Sequence, residues 1–599
     1  MKNKTKCMGI ATALALLVGV ATAASAQTRK ACDANNNGTV DNADIGLLNG
    51  CVSAACPTLC GGIGEGTLFP APNPNAVRCG DGFGDGTAVN TADVGLCARL
   101  AIGLPNLHDQ GCPVGADAAG CVGALPTCSG TCTGGVRNGL ACVDESDCPT
   151  INVGSGDITA SVRWPANCRV NLTGTVRIKT NGNLDNADTC KTVLTIDGRP
   201  SVAVTGDTTA AAVPALFILP GARIGANGAP TDPIIMTSNN PPHSPNDWGG
   251  LNILGRSTVN TNTTGTCTGF AEGVPEAFGG CIEDDNSGIV TYTSVRFAGR
   301  LFTPDNELNS ITMNAVGSGT EYHHVQAHFG ADDCHEWFGG TVNTHHLVAS
   351  GCGDDGFDWQ LGFTGSLQYG LMFQNSGNLS AGSGQSRGIE ADNSEFGFED
   401  LPRSNPSMCN LTLIGAQGAA GSDTGIFLRR GTAGTIGNSV IVNWQDVGTE
   451  LGDTSTCNIA CSAANTLNPN QPNLRVKNSI FFDNGAGNAH TKSSAPAGCV
   501  CGAELSKDWY DELVANEGVR NASGVAPTVD PQLSQTYPPA NQVPDARSNP
   551  NPVFTAGDCT AVNENFEDTA YVGALDPMAS CNTSVCDWLD TSWVSFNTN

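Results

Sequence analysis

The chain has 599 residues, 40% hydrophobic and only 14% charged, so it is too long for one small core and reads as globular and multidomain, not disordered. Its 75 glycines and 32 prolines argue for many turns and against a helical protein. A net charge of −29, with no basic cluster to neutralise phosphates, excludes nucleic acid as a natural partner and leaves cations, or solubility alone, as the reason for the acidity.

Lys2, Lys4 and Lys6 precede an apolar run from Met8 to Ala23 and the small residues Ala24-Ser25-Ala26, which is the pattern of an export leader spanning 1–26 and cleaved near Ala26. The run is too short for a convincing membrane span, and nothing later is long and apolar enough to be one. Cys32 lacks the apolar residue three positions earlier that a lipidated cysteine needs, so the expectation is a soluble, secreted protein, extracellular or at the cell surface. Removing Cys7 with the leader leaves an even number of cysteines in an oxidising compartment, where disulfides are the default. The pairs Cys56/Cys60, Cys128/Cys132 and Cys457/Cys461 lack the spaced histidines of a zinc site.

Residues 33–44 have the ligand spacing of a twelve-residue calcium loop. Asp33, Asn35 and Asn37 supply oxygens, Gly38 sits at the sharp turn, Thr39 offers its carbonyl, Asp41 follows and Asp44 closes the loop. A second copy, with Asp81, Asp85 and Asp93, is one residue too long and places Phe83 where an oxygen donor belongs. At these residues, together with the helix signal of "ADVGLCARLAIGLP" from Ala92 to Pro105, the segment 27–110 resembles a dockerin. The resemblance implies Ca2+ binding and attachment to a cohesin-like or cell-surface protein. A calcium- and disulfide-stapled spacer that binds nothing is the alternative. Between 111 and 150 the cysteines crowd among Gly, Thr and Asp with too little apolar material for a core, so this stretch reads as a stapled linker.

From 151 to 599 the texture changes to short β runs broken by Gly, Asn and Asp. In "ALFILPGARIGANG" and "DPIIMTSN" alternation directs Leu216, Ile218, Ile224, Ala226, Ile234 and Met236 into a narrow interior. One passage is written twice. "HHVQAHFGADDCHEWFGG" from His323 and "HHLVASGCGDDGFDWQLG" from His345 align His324 with His346, Asp332 with Asp354, Asp333 with Asp355, Glu336 with Asp358, and Trp337 with Trp359. Such a period fits one coil of a parallel β-solenoid, in which equivalent residues stack about 4.8 Å apart. A β-sandwich or a propeller is the competing fold. The long motifs "ALFILPGARIGANGAPTDPIIMTS", "DWGGLNILGR", "DDNSGIVTYTSVRFAG", "YVGALDP" and "WLDTSWVSF" resemble a family of secreted bacterial right-handed parallel β-helix proteins. That resemblance implies an all-β fold over 151–599 and little about activity.

Stacking of these coils places His324 over His346, either as a simple ring stack or as ligands sharing a metal. It also gathers Asp332, Asp333, Glu336, Asp354, Asp355 and Asp358, with Glu390 and Asp392 on the next coil. So many like charges cannot all remain ionised without a cation. Three outcomes are open: calcium neutralises them, one carboxyl stays protonated as a general acid for polysaccharide hydrolysis, or the aspartates only form corner turns. "GDDGFD" at 353–358 resembles the paired-Asp turn of polygalacturonases, without that family's Gly-His-Gly and Arg-x-Lys motifs. A lyase would instead need a basic residue over calcium, for which Arg387, Arg429 and Arg430 are the candidates. The function expected is therefore a calcium-binding, carbohydrate-directed surface protein; the alternative is a polysaccharide hydrolase or lyase acting through the carboxylates. Exposed Trp337 and Trp359 would favour the enzyme, buried ones the binding protein.

Overall fold

The strand Glu321–His328 pairs in parallel with Asn343–Ser350, which pairs with Ser366–Phe373, which pairs with Ser407–Ile414. After each of the first three of these long strands the chain turns into a short one, His335–Phe338, Phe357–Gln360 and Ile389–Ala391, and these too pair in parallel, continuing to Ile426–Leu428. The chain thus climbs one strand spacing per coil, and the fold is an all-β parallel β-helix. In this computed structural model the residues described are Thr131–Cys132 and, with internal breaks, 150–598, all in the larger of the chain's two compact units. The stretches read from the sequence as an export leader, two calcium loops in a dockerin-like segment and almost all of the cysteine-rich linker lie outside the described residues.

Among the described residues these long strands belong to a 17-stranded sheet and these short ones to a 10-stranded sheet. Side chains alternate in and out of the space between them. Val325 lies in register with Leu347, Ala327 with Ala349, and Trp337 with Trp359; all are buried in one continuous core. Leu216, Ile218, Ile224, Ala226, Ile234 and Met236 join the same core, as their alternation predicts.

The strand Gly288–Arg296, which pairs in parallel with Glu321–His328, and the four long strands after it are each bent part-way along by a residue in the left-handed region. Tyr292, His324, His346, Tyr369 and Asn410 have φ of 42°, 52°, 56°, 62° and 56°, and the pairing skips them. That conformation costs an L-residue about 1 kcal/mol or more. Ring stacking offsets it in the aromatic part of the row, where Tyr292, His324, His346 and Tyr369 follow one another at centroid distances of 4.5, 4.4 and 4.5 Å. Asparagine, which tolerates the conformation well, takes over at Asn410.

The outward face beyond the bend is not bare. Val348, Leu371, Phe373 and Ile414 form a second apolar cluster with Leu533, Val543, Trp593 and Phe596 of the C-terminal segment. Gln326 donates from Nε2 to the Ser595 carbonyl at 2.6 Å, and Gln368 to the Glu567 carbonyl at 2.8 Å. Disulfides join Cys267 to Cys281, Cys334 to Cys352, Cys409 to Cys559 and Cys581 to Cys586. Among the described residues no helix is long and apolar enough to cross a membrane.

Candidate functional site

The aspartates occupy the turns that lead from long strands into short ones, where the backbone needs acceptors. Asn309 Oδ1 takes the amide of Asp333 at 3.2 Å, Asp333 Oδ1 takes that of Asp355 at 2.7 Å, and Asp355 Oδ1 takes that of Arg387 at 2.5 Å. Each side chain thereby satisfies the backbone of the coil above, so part of the repeat is explained by corner chemistry alone. The disulfide Cys334–Cys352 ties the first two of these turns together.

One step further, on the short strands, Glu336, Asp358 and Glu390 lie in register on the face opposite the core. Glu336 accepts from Asn309 Nδ2 and, at 3.1 Å, from Gln360 Nε2. Glu390 is gripped by both Arg387 and Arg429, and Asp392 by Arg429 Nε at 2.7 Å and Arg430 at 2.8 Å. Asp423, which the sequence did not single out, lies 3.5 Å from Arg387 Nε. Positive charge is therefore concentrated at the Glu390 end. Among the described residues no arginine or lysine lies within ion-pair distance of Asp333 or Asp358.

All six carboxylates expected from the sequence converge, in three overlapping groups. Oxygens of Asp332, Asp333 and Asp354, of Asp333, Glu336 and Asp358, and of Asp355, Asp358 and Glu390 each fall within 4.8 Å of one another. Asp332 and Asp354 are at a half-buried rim, whereas Asp355 and Asp358 are only 2% and 7% exposed. Burial, then the charge of Asp332, raises the Asp333 carboxyl well above the usual range. Burial raises Asp355 and Asp358 likewise, reinforced by Asp354 and Glu390 respectively. Asp358 Oδ1 is buried without a hydrogen-bond partner, as is Asp354 Oδ1. A buried carboxylate oxygen left unsatisfied is expensive, and a hard cation is the partner that relieves it while also cancelling the repulsion. Oxygens up to 4.8 Å apart fit across a calcium ion, whose Ca–O distances are about 2.3–2.6 Å.

Trp337 and Trp359 are both fully buried, so they form no sugar-stacking platform. Arg387 sits 4.4 Å over the Phe427 ring, and although burial pulls the other way its carboxylate neighbours hold its pKa above the ordinary value, as they do for Arg429. Neither is poised to act as a base. His324 and His346 fall on the other sheet and stack as the repeat predicts, whereas His335, on the same short strand as Glu336, points into the core, where burial lowers it to about 4.

Residues 156–512 match the family model described as pectate-lyase-like beta helix domain. No curated protein and no solved structure matches the chain. The match covers more than half of the sequence and coincides with the stacked coils, so the chain belongs to the pectate-lyase-like β-helix family.

Proposed function

We propose that this protein is an exported, calcium-binding β-helix that binds polysaccharide at the wall carrying its carboxylates, with Asp333, Glu336 and Asp358 as the centre of the calcium site. The observation that carries this reading is the buried, unpartnered Oδ1 of Asp358, a residue that belongs to two of the three carboxylate groups. Burial of both tryptophans and the ion-paired state of Arg387 and Arg429 favour binding over cleavage. The family match supports a polysaccharide ligand, and the disulfides support an oxidising compartment. The loops at 33–44 and 81–93 would hold further calcium and attach the molecule to a cohesin-like or cell-surface partner.

The test is calorimetric titration of calcium into the chelator-treated full chain, alongside retention on immobilised acidic and neutral polysaccharides with and without chelator. A D33A/D44A/D81A/D93A background removes both N-terminal loops. In that background wild-type carboxylates should bind calcium and D358N should bind at least tenfold more weakly. Unchanged affinity in a folded D358N protein would refute the site.

One observation favours a second reading. Asp355 and Asp358, raised by burial and like charge, stand beside Glu390, which burial also raises but which Arg387 and Arg429 pull back toward ionisation, and a pair of carboxyls in such unlike settings is what glycoside hydrolysis uses. Cleavage of any panel polysaccharide, abolished in folded D354A/D355A protein, would establish that reading in place of the first.

A further inference from the structure

The two His-His dipeptides make a second polar cluster, on the long sheet. His323 lies in register with His345, and their rings stack at 4.6 Å and 14°. His324 and His346 occupy the left-handed bends and stack at 4.4 Å and 8°. The bend turns each of these rings back toward its predecessor. Nδ1 of His323 faces Nδ1 of His324 at 2.9 Å, and Nδ1 of His345 faces Nδ1 of His346 at 2.6 Å. Ring nitrogens of His323, His324 and His345 all lie within 4.8 Å of one another.

Two facing imidazole nitrogens cannot both carry protons at such distances, so at least one lone pair in each dipeptide points into the cluster. Glu321 settles which tautomer His323 adopts. Its carboxylate lies 3.2 Å from Nε2 and accepts that N–H, leaving the His323 Nδ1 lone pair aimed at His324. An outer carboxylate holding the far nitrogen of an imidazole is the arrangement that metal-bound histidines use to fix ring orientation and raise basicity. Tyr292, Tyr369, Trp588 and Trp593 wall the cluster. The four rings are half-buried, not sealed, which leaves an entry path. An all-nitrogen donor set suits zinc or copper(II) and is unsuited to calcium or magnesium.

We propose that His323, His324 and His345, with His346 stacked behind and Glu321 orienting His323, form a binding site for a divalent transition metal such as zinc or copper(II). Ligand nitrogens about 2.0–2.1 Å from zinc sit roughly 3.3 Å apart in a tetrahedral centre, so binding spreads the His323–His324 pair slightly, displaces the proton the two Nδ1 atoms share, and brings the His345 nitrogen to the same separation.

The experiment uses the full chain, stripped with EDTA and dialysed, then titrated with copper(II) and read by electron paramagnetic resonance, with zinc as competitor. The expected result is one equivalent of copper showing nitrogen hyperfine coupling, displaced by zinc and indifferent to millimolar calcium. H323A and H345A should lose that signal. E321Q, which keeps the fold but weakens the outer acceptor, should bind about 10–100-fold less tightly. D358N should bind copper as wild type does, which separates this site from the carboxylates. Copper bound without nitrogen coupling, or coupling unchanged in H323A and H345A, would overturn the assignment. Should an alanine variant not fold, the wild-type spectrum and the E321Q shift decide the question.

Discussion

The Asp333 carboxylate accepts the backbone amide of Asp355 at 2.7 Å, 22 residues later in the chain. One oxygen of Asp333 therefore serves the fold while the carboxyl as a whole contributes charge to the buried cluster. The two roles are separable by substitution. Asp333→Asn keeps an acceptor for the amide and removes the charge, so it should leave the chelated protein as stable as wild type or more so, while weakening calcium binding. Asp333→Ala orphans the buried amide and should cost about 1–3 kcal/mol. Thermal melts of both variants, with and without calcium, check the pair.

Calcium stabilisation should grow with pH. Asp333, Asp355 and Asp358 are raised by burial, so the stability they confer on the chelated protein is complete below about pH 4 and is lost as pH rises through their folded values. The buried His328 and His335, lowered to about 3 and about 4, act in the opposite sense. Their contribution is present above about pH 6.5 and is lost as pH falls toward those values. The histidine contribution is common to chelated and calcium-loaded protein and cancels in the difference. The gap in melting temperature between the two forms should therefore widen from pH 5 to pH 8, and a constant gap would count against calcium at this cluster.

The Cys334–Cys352 disulfide closes a loop of 18 residues and spans the two turns that carry Asp333 and Asp355. Replacing both cysteines by serine should remove about 3 kcal/mol of stability. It should also weaken calcium binding more than replacing Cys581 and Cys586, which lie in the C-terminal segment. Paired denaturant and calcium titrations of the two double variants provide the comparison.

Trp593 is fully buried against Tyr292 and His324, at ring distances of 6.0 and 5.9 Å. Trp593→Ala should cost about 3–5 kcal/mol and expose Val348 and Leu371 to an apolar dye. An unchanged melt would mean that the C-terminal segment does not hold the sheet face it covers.

The stacked carboxylates were legible because two successive turns happen to have equal length, so that Asp333 and Asp355 align by eye. Elsewhere the same register is hidden. Thr291 pairs with His323, and Gln368 with Cys409, across turns lengthened by insertions such as 374–388, and no fixed period survives. The inward residues of each strand could be read from alternation, since a period of two needs no knowledge of neighbours. Partners far away in sequence could not. Nothing in the local text announces that Asp423 approaches Arg387, or that Gln326 meets Ser595. The pairing of His323 with His324 was missed for a related reason: strict alternation puts adjacent side chains on opposite faces, and only the positive φ of His324 brings both rings to one side.

The C-terminal segment reaches back to coils made long before it, with Gln326 and Ser595 separated by 269 residues. A chain that emerges from a ribosome or a translocation channel amino end first can wind these coils as it appears. Yet Val348, Leu371 and Phe373 then face water until residues 593–596 arrive. Maturation of this molecule is accordingly a closing event and not a steady accretion of rungs, and the interval before closure is when it is most vulnerable to proteases and to association with its own kind.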